Sequence, residues 1–170
     1  KGRYTKYQKT LDAFLFCCYA GMRYSDFVNM KPDNIVEMHQ ETWLIYKSIK
    51  TGTEVRLPLY LLFSGKGILI LNKYQANLQD FFHLRDNSNV NKELIIIARL
   101  AGVAKKVSFH TARHTNATLL IYNGVNITTV QKLLGHKSVK TTQIYTNVMD
   151  ATIISDLEKN HSSVHRKKGK

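Results

Sequence analysis

Apolar positions recur at helical spacing through most of the chain. Leu11, Phe14, Leu15, Cys18 and Tyr19 fall at i, i+3, i+4, i+7 and i+8, which predicts a helix with one buried face, stopped by Gly21. A short helix is expected over Ser25–Met30, broken before Pro32. The period then changes. Ile35-Val36, Trp43–Tyr46 and Val55–Leu57 are short β-prone runs separated by polar turns at His39-Gln40-Glu41 and Thr51-Gly52. They predict a three-stranded antiparallel sheet ending at Pro58. Beyond it the helical period returns, faintly at Ile68–Tyr74 and clearly at Leu94, Ile97, Ala98 and Ala101.

The polar stretch Gln79–Asn91 reads as a loop. Ala117, Leu120 and Ile121 mark a helix from His110 to Gly124, and Ile127, Val130 and Leu134 mark another, stopped by Gly135. Ser138 is placed to cap a short helix through Tyr145. Ile153, Ile154 and Leu157 give one apolar stripe for a final helix, followed by a basic tail, 166–170, expected to be disordered. The predicted class is α+β, mainly helical, around one core that includes Leu11, Phe14, Leu15, Cys18, Leu120, Ile121 and Val130.

Length and composition narrow the function classes. At 170 residues with 44% hydrophobic and 22% charged positions, the chain suits one folded domain rather than a disordered segment. Its longest apolar run, Ala13–Ala20, is far too short to span a bilayer. The chain opens Lys-Gly-Arg-Tyr with neither an initiator methionine nor an apolar signal segment, so it is expected to be cut from a longer protein. Cys17 and Cys18 are adjacent and cannot staple distant segments, which favours a reducing, intracellular setting. The formal net charge of +13 points to a polyanionic partner, with nucleic acid first among them.

Several short motifs carry chemistry. His110 and Arg113, three apart at a helix start, share one face beside free backbone N–H groups, the makings of a phosphate clamp. The bland alternative is a solvated helix start. His110 and His114 have the spacing of a two-His metal pair, but Thr111 stands where a metalloprotease motif has Glu, and no third ligand is evident. Arg23 follows the Gly21 break, with Asp26 three residues on to hold it. Lys50 lies beside the Thr51-Gly52 turn. Tyr145 is one of nine tyrosines, and a free phenol is ionised only to about one part in a thousand at neutral pH.

The order of these motifs is more telling than any one of them. Gly-Met-Arg-x-Ser-Asp (residues 21–26), Lys-Thr-Gly (50–52), His-x-x-Arg-His-Thr (110–115), Leu-Leu-Gly-His (133–136) and Thr-Thr-x-x-Tyr (141–145) together resemble the catalytic domain of the tyrosine recombinases, the phage-integrase family. The similarity runs from about Leu11 to Val148 and is weakest between Phe63 and Asn91. Ser108–Thr115 looks most like integrases of bacterial mobile elements.

The resemblance implies a catalytic domain over residues 1–165, with an N-terminal core-binding domain absent. It implies six catalytic positions: Arg23, Lys50, His110, Arg113, His136 and Tyr145, the last as nucleophile. Asp26 would support Arg23, and Lys47 lies three residues from Lys50 on the same hairpin. Arg23, Lys50, Arg113 and Lys137 would touch DNA. It further implies strand cleavage through a 3′-phosphotyrosine, without metal, nucleotide or other cofactor. The implied partners are a double-stranded attachment site and other protomers in a synapse, and the implied location is the bacterial cytoplasm. Two competing readings are a type IB topoisomerase, and a non-catalytic regulator whose helix-turn-helix would be Ile127–Leu134 followed by Ser138–Tyr145.

Overall fold

The computed structural model describes residues 6–146. Helix α1 (Gln8–Ala20) runs through the centre and is flanked by later helices on several sides, so from Ala13 to Ala20 it is apolar all round. Its fully enclosed face is Ala13, Phe16, Cys17 and Ala20, one residue out of step with the predicted stripe. Of that stripe Cys18 is buried, whereas Leu11, Phe14 and Leu15 are only half-buried. The small side chains at 13, 17 and 20 admit close neighbours, and Phe16 fills an aromatic cluster with Phe27 and Phe81. Leu120 and Val130 are enclosed as predicted, while Ile121 is half-buried.

Helix α2 (Tyr24–Val28) follows the break at Gly21. Gly21 has φ +67°, and a Cβ there would lie 2.7 Å from Asn116 Oδ1 and 2.9 Å from a Leu134 methyl. Both the turn and the approach of two later helices therefore demand glycine. Strands β1 (Ile35–Met38), β2 (Glu41–Lys47) and β3 (Glu54–Pro58) form the expected antiparallel sheet in the order 1-2-3. His39 and Gln40, both at positive φ, make the first turn, so Glu41 belongs to β2. Leu44 pairs with Leu57 and Tyr46 with Val55, and these four alternate positions face the core.

Helices α3 (Lys66–Lys73), α4 (Leu78–Phe82) and α5 (Asn87–Leu100) come next. The predicted loop over Gln79–Asn91 is thus corrected to α4 and the first turn of α5. Its polar residues act as helix caps: Asn77 accepts from the Asp80 N–H, and Asp86 accepts from those of Ser88 and Asn89. Phe81 and Phe82 are wholly enclosed against Phe27. On α5, Leu94 and Ala98 are buried, whereas Ala101 lies past the helix end and is exposed.

Helix α6 (Phe109–Tyr122) begins with a reciprocal Ser108–Thr111 cap, and α7 (Ile127–Leu134) with Asn126. Ser138 caps α8 (Val139–Thr142) as expected, but the single helix predicted through Tyr145 gives way to a tighter 3₁₀ turn over Gln143–Tyr145. The predicted final helix and basic tail lie outside the described residues. Among the described residues, no helix is long and apolar enough to cross a membrane.

Candidate active site

Arg113 is the most enclosed member of the site, at 1% exposure on the buried side of α6. Its guanidinium donates to the carbonyl of Gly21 at 2.7 Å and to that of Leu134 at 2.6 Å. Those carbonyls stand at the C-terminal ends of α1 and α7, where backbone oxygens lack helical partners and the helix dipole favours a cation. Burial, then the neighbouring Arg23, pulls its pKa down to about 10, which leaves it charged at neutral pH. Asn116, one turn further along α6, donates to the carbonyls of Cys18 and Tyr19 and secures the same junction.

Arg23 sits at the N-cap of α2 and donates to Ser48 Oγ at 3.2 Å. Asp26, 2% exposed, lies 3.6 Å from the Arg23 guanidinium. The same carboxylate accepts from the Ser48 hydroxyl and, at 2.8 Å, from the Ile49 N–H. One buried charge therefore fixes both the first arginine and the base of the β2–β3 turn. Across that turn, Thr51 Oγ1 donates to the Gly135 carbonyl at 3.1 Å. Lys50, held between these two anchors, lines an open cleft of about 370 Å³ with Arg23, Tyr24, Asn91, Ser108 and His110. Lys47 is exposed on β2 and is not part of that lining.

Gly135 ends α7 at φ +63°, with a Cβ position only 2.6 Å from a Val55 methyl of β3. No larger residue fits between the helix end and the sheet. That contact puts His136 beside Arg113, where it is 7% exposed. His136 Nδ1 lies 2.9 Å from Thr142 Oγ1, itself fully buried. Burial, then the charges of Arg113 and Arg23, lowers the His136 pKa to about 4, so the ring is neutral at physiological pH. In the tautomer in which Nδ1 accepts from Thr142, the proton is on Nε2 and available to an anion.

Tyr145 is half-buried on the 3₁₀ turn against α6. Burial raises its pKa, and the charges of Arg113 and Arg23 oppose that rise. The His114 ring meets Tyr145 edge-on, 5.2 Å between centroids, and meets His110 at 4.5 Å and 90°. The His110 pKa is lowered, first by burial and then by His114, Arg113, Arg23 and Lys50. Lys137 is exposed on the loop after His136.

The six sequence-predicted residues and Asp26 thus come from five separate stretches and meet at one place. Three residues that sequence reasoning passed over, Ser48, Asn116 and Thr142, also help to build it, as does His114, which the sequence offered only as half of a discounted metal pair. Thr142 and His114 lie inside the quoted motifs, so the signal was present, but their contacts are with residues distant in the fold. Among the described residues, no three His, Cys, Asp or Glu side chains converge as a metal site.

This chain, which gathers these cations and a phenol at the junction of a helical bundle and a three-stranded sheet, belongs to the phage integrase family, whose model matches residues 4–152. The chain is 50% identical over 154 residues to the tyrosine recombinase XerD of Listeria innocua, covering 80% of this chain and 49% of that protein. It is 31% identical over 163 residues to the tyrosine recombinase XerC of Rickettsia bellii, covering 90% and 50% respectively. The chain spans about half the length of these curated relatives. The fold matches that of a lambda integrase dimer crystallised on a COC′ core site, with TM-score 0.66 and 21% identity over 85% of this chain and 45% of that one.

Proposed function

We propose that residues 1–165 act as the catalytic unit of a site-specific DNA recombinase that cleaves and rejoins strands through a 3′-phosphotyrosine. The observation that carries this reading is the grouping of Tyr145 with Arg23, Arg113 and the neutral His136. Phosphoryl transfer needs positioning and charge more than covalent help, and this group supplies both. Arg23 and Arg113 hold the two non-bridging oxygens of the scissile phosphate. His136 Nε2–H donates to the same phosphate. The Tyr145 oxygen attacks phosphorus as the bond to the 5′-oxygen breaks. His110, kept neutral by its surroundings, accepts the phenol proton, and Lys50 gives a proton to the departing 5′-oxygen. Attack by a new 5′-hydroxyl reverses each step, so no bond energy is lost and no nucleotide is consumed.

The partners in this proposal are a double-stranded attachment site, further copies of the protein in a synapse, and no membrane. Lys137 joins Arg23, Lys50 and Arg113 against the DNA backbone. The setting is the cytoplasm of a bacterium, in keeping with the bacterial relatives. The regulator reading loses ground because α8 is only four residues long, too short to lie along a major groove as a recognition helix.

The test is a nicked suicide duplex carrying the protein's own attachment site, incubated with full-length protein in EDTA. Since protein cations carry the charge, a covalent adduct resistant to denaturant should form without metal or nucleotide. Tyr145→Phe should bind the duplex and form none. An adduct from Tyr145→Phe, or strict dependence on magnesium, would overturn the proposal.

A further inference from the structure

The mechanism above leaves unused a ring that lies against the proposed nucleophile. His114 lies one helical turn beyond His110 on α6 and is exposed, yet it touches two residues of the proposed machinery. Its ring packs perpendicular to His110 at 4.5 Å and at 65° to Tyr145 at 5.2 Å. Among the described residues it is the one aromatic ring recorded against Tyr145. No hydrogen bond joins the His114 nitrogens to the Tyr145 hydroxyl among the described residues. The contact is ring against ring.

The location gives that contact weight. Tyr145 ends a three-residue 3₁₀ turn, an element with few backbone hydrogen bonds of its own. Thr142, at the start of that turn, is committed to His136. The phenol's direction is set by the Arg113 guanidinium near its oxygen and by what its ring rests against, the core on one side and His114 on another. Edge-to-face packing is a preferred arrangement of ring pairs, so it bears on a ring's tilt as well as its position. Behind His114 the rigid α6 carries Arg113, so the phosphate-binding charge and the ring that backs the phenol share one helix.

We propose that His114 is a positioning residue for the nucleophile: its ring is the wall that aims the Tyr145 oxygen at the phosphate held by Arg113. It does so as an aromatic surface, not as a base. The inference rests on the recombinase reading and adds to it a residue with no part in the chemistry itself. Misplacing a nucleophile by about 1 Å can cost about 10²-fold in rate. The binding charges are untouched, so affinity for DNA should not follow.

The experiment measures single-turnover formation of the covalent adduct by full-length protein on the suicide duplex, with DNA affinity and thermal unfolding recorded alongside. Wild type, Tyr145→Phe, His114→Ala and His114→Phe are compared. His114→Ala should slow adduct formation by about 10- to 100-fold at saturating DNA, with affinity and unfolding temperature close to wild type. His114→Phe restores a ring without nitrogens and should recover to within about threefold of wild type. If the phenylalanine variant is as slow as the alanine variant, an imidazole nitrogen is acting and the positioning role is wrong. If His114→Ala reacts at the wild-type rate, or slows only because it unfolds, the ring aims nothing. A wild-type protein that makes no adduct overturns the recombinase reading itself, whereas normal wild-type cleavage with an indifferent His114→Ala overturns only this inference.

Discussion

Lys50 and His136 make opposite use of their surroundings. Lys50 is exposed on a turn, and what it contributes in the proposed mechanism is a proton to a poor leaving group. On DNA whose bridging 5′-oxygen is replaced by sulfur, the departing thiolate needs no proton. Lys50→Ala should therefore be slow on ordinary DNA and recover most of its rate on the sulfur substrate, while Arg113→Ala should not recover. Equal defects of Lys50→Ala on both substrates would remove the acid from Lys50. His136 is buried, and its pKa of about 4 lies below the ordinary 6.5. Above 6.5 neither folded nor unfolded protein binds this proton, so its titration adds no pH dependence to stability. As pH falls from 6.5 towards 4 the unfolded chain takes it up first, and stability is lost across that window. The drop in urea midpoint between about pH 7 and about pH 4.5 should shrink in His136→Gln. His110, whose pKa is also lowered, accounts for part of the remainder.

At the scale of elements, the site depends on how segments end rather than on how they run. The β2–β3 turn is pinned by Asp26 on one side and by the Gly135 carbonyl on the other. Gly135→Ala would put a methyl 2.6 Å from Val55 at a strained φ, and is expected to cost about 1–3 kcal/mol. Urea unfolding measures it, and a variant as stable as wild type would show that α7 and β3 can part freely. Segments of this kind also mark the limit of what the sequence makes readable. The long helices and the three strands stand out because their apolar period is sustained over whole turns. Residues 79–91 do not, because Asn77 and Asp86 are helix caps, and a cap has the same composition as a loop. The enclosed face of α1 is hidden for a different reason: in a helix covered on most sides, the largest apolar residues need not mark the most buried face. The chemical groups of the site are readable from motif order. Ser48, Asn116 and Thr142 are not, because each acts through a partner chosen by the fold.

Across the whole molecule, Arg113 links the site to the architecture. Its two carbonyl partners belong to helices that begin and nearly end the described chain, and together with α6 they surround the guanidinium. Arg113→Ala would leave two buried carbonyls without donors, at a cost of about 2–5 kcal/mol. Calorimetry should find that variant well below wild type in unfolding temperature and Tyr145→Phe close to it. Near-identical stabilities would mean that the three helices meet without help from this side chain. The same arrangement constrains how such a protein can decay. A lineage released from selection for strand cleavage can discard Tyr145 or Lys50 and keep a sound fold. It cannot discard Arg113 so cheaply, so relics of the activity should retain this arginine long after the tyrosine has drifted away.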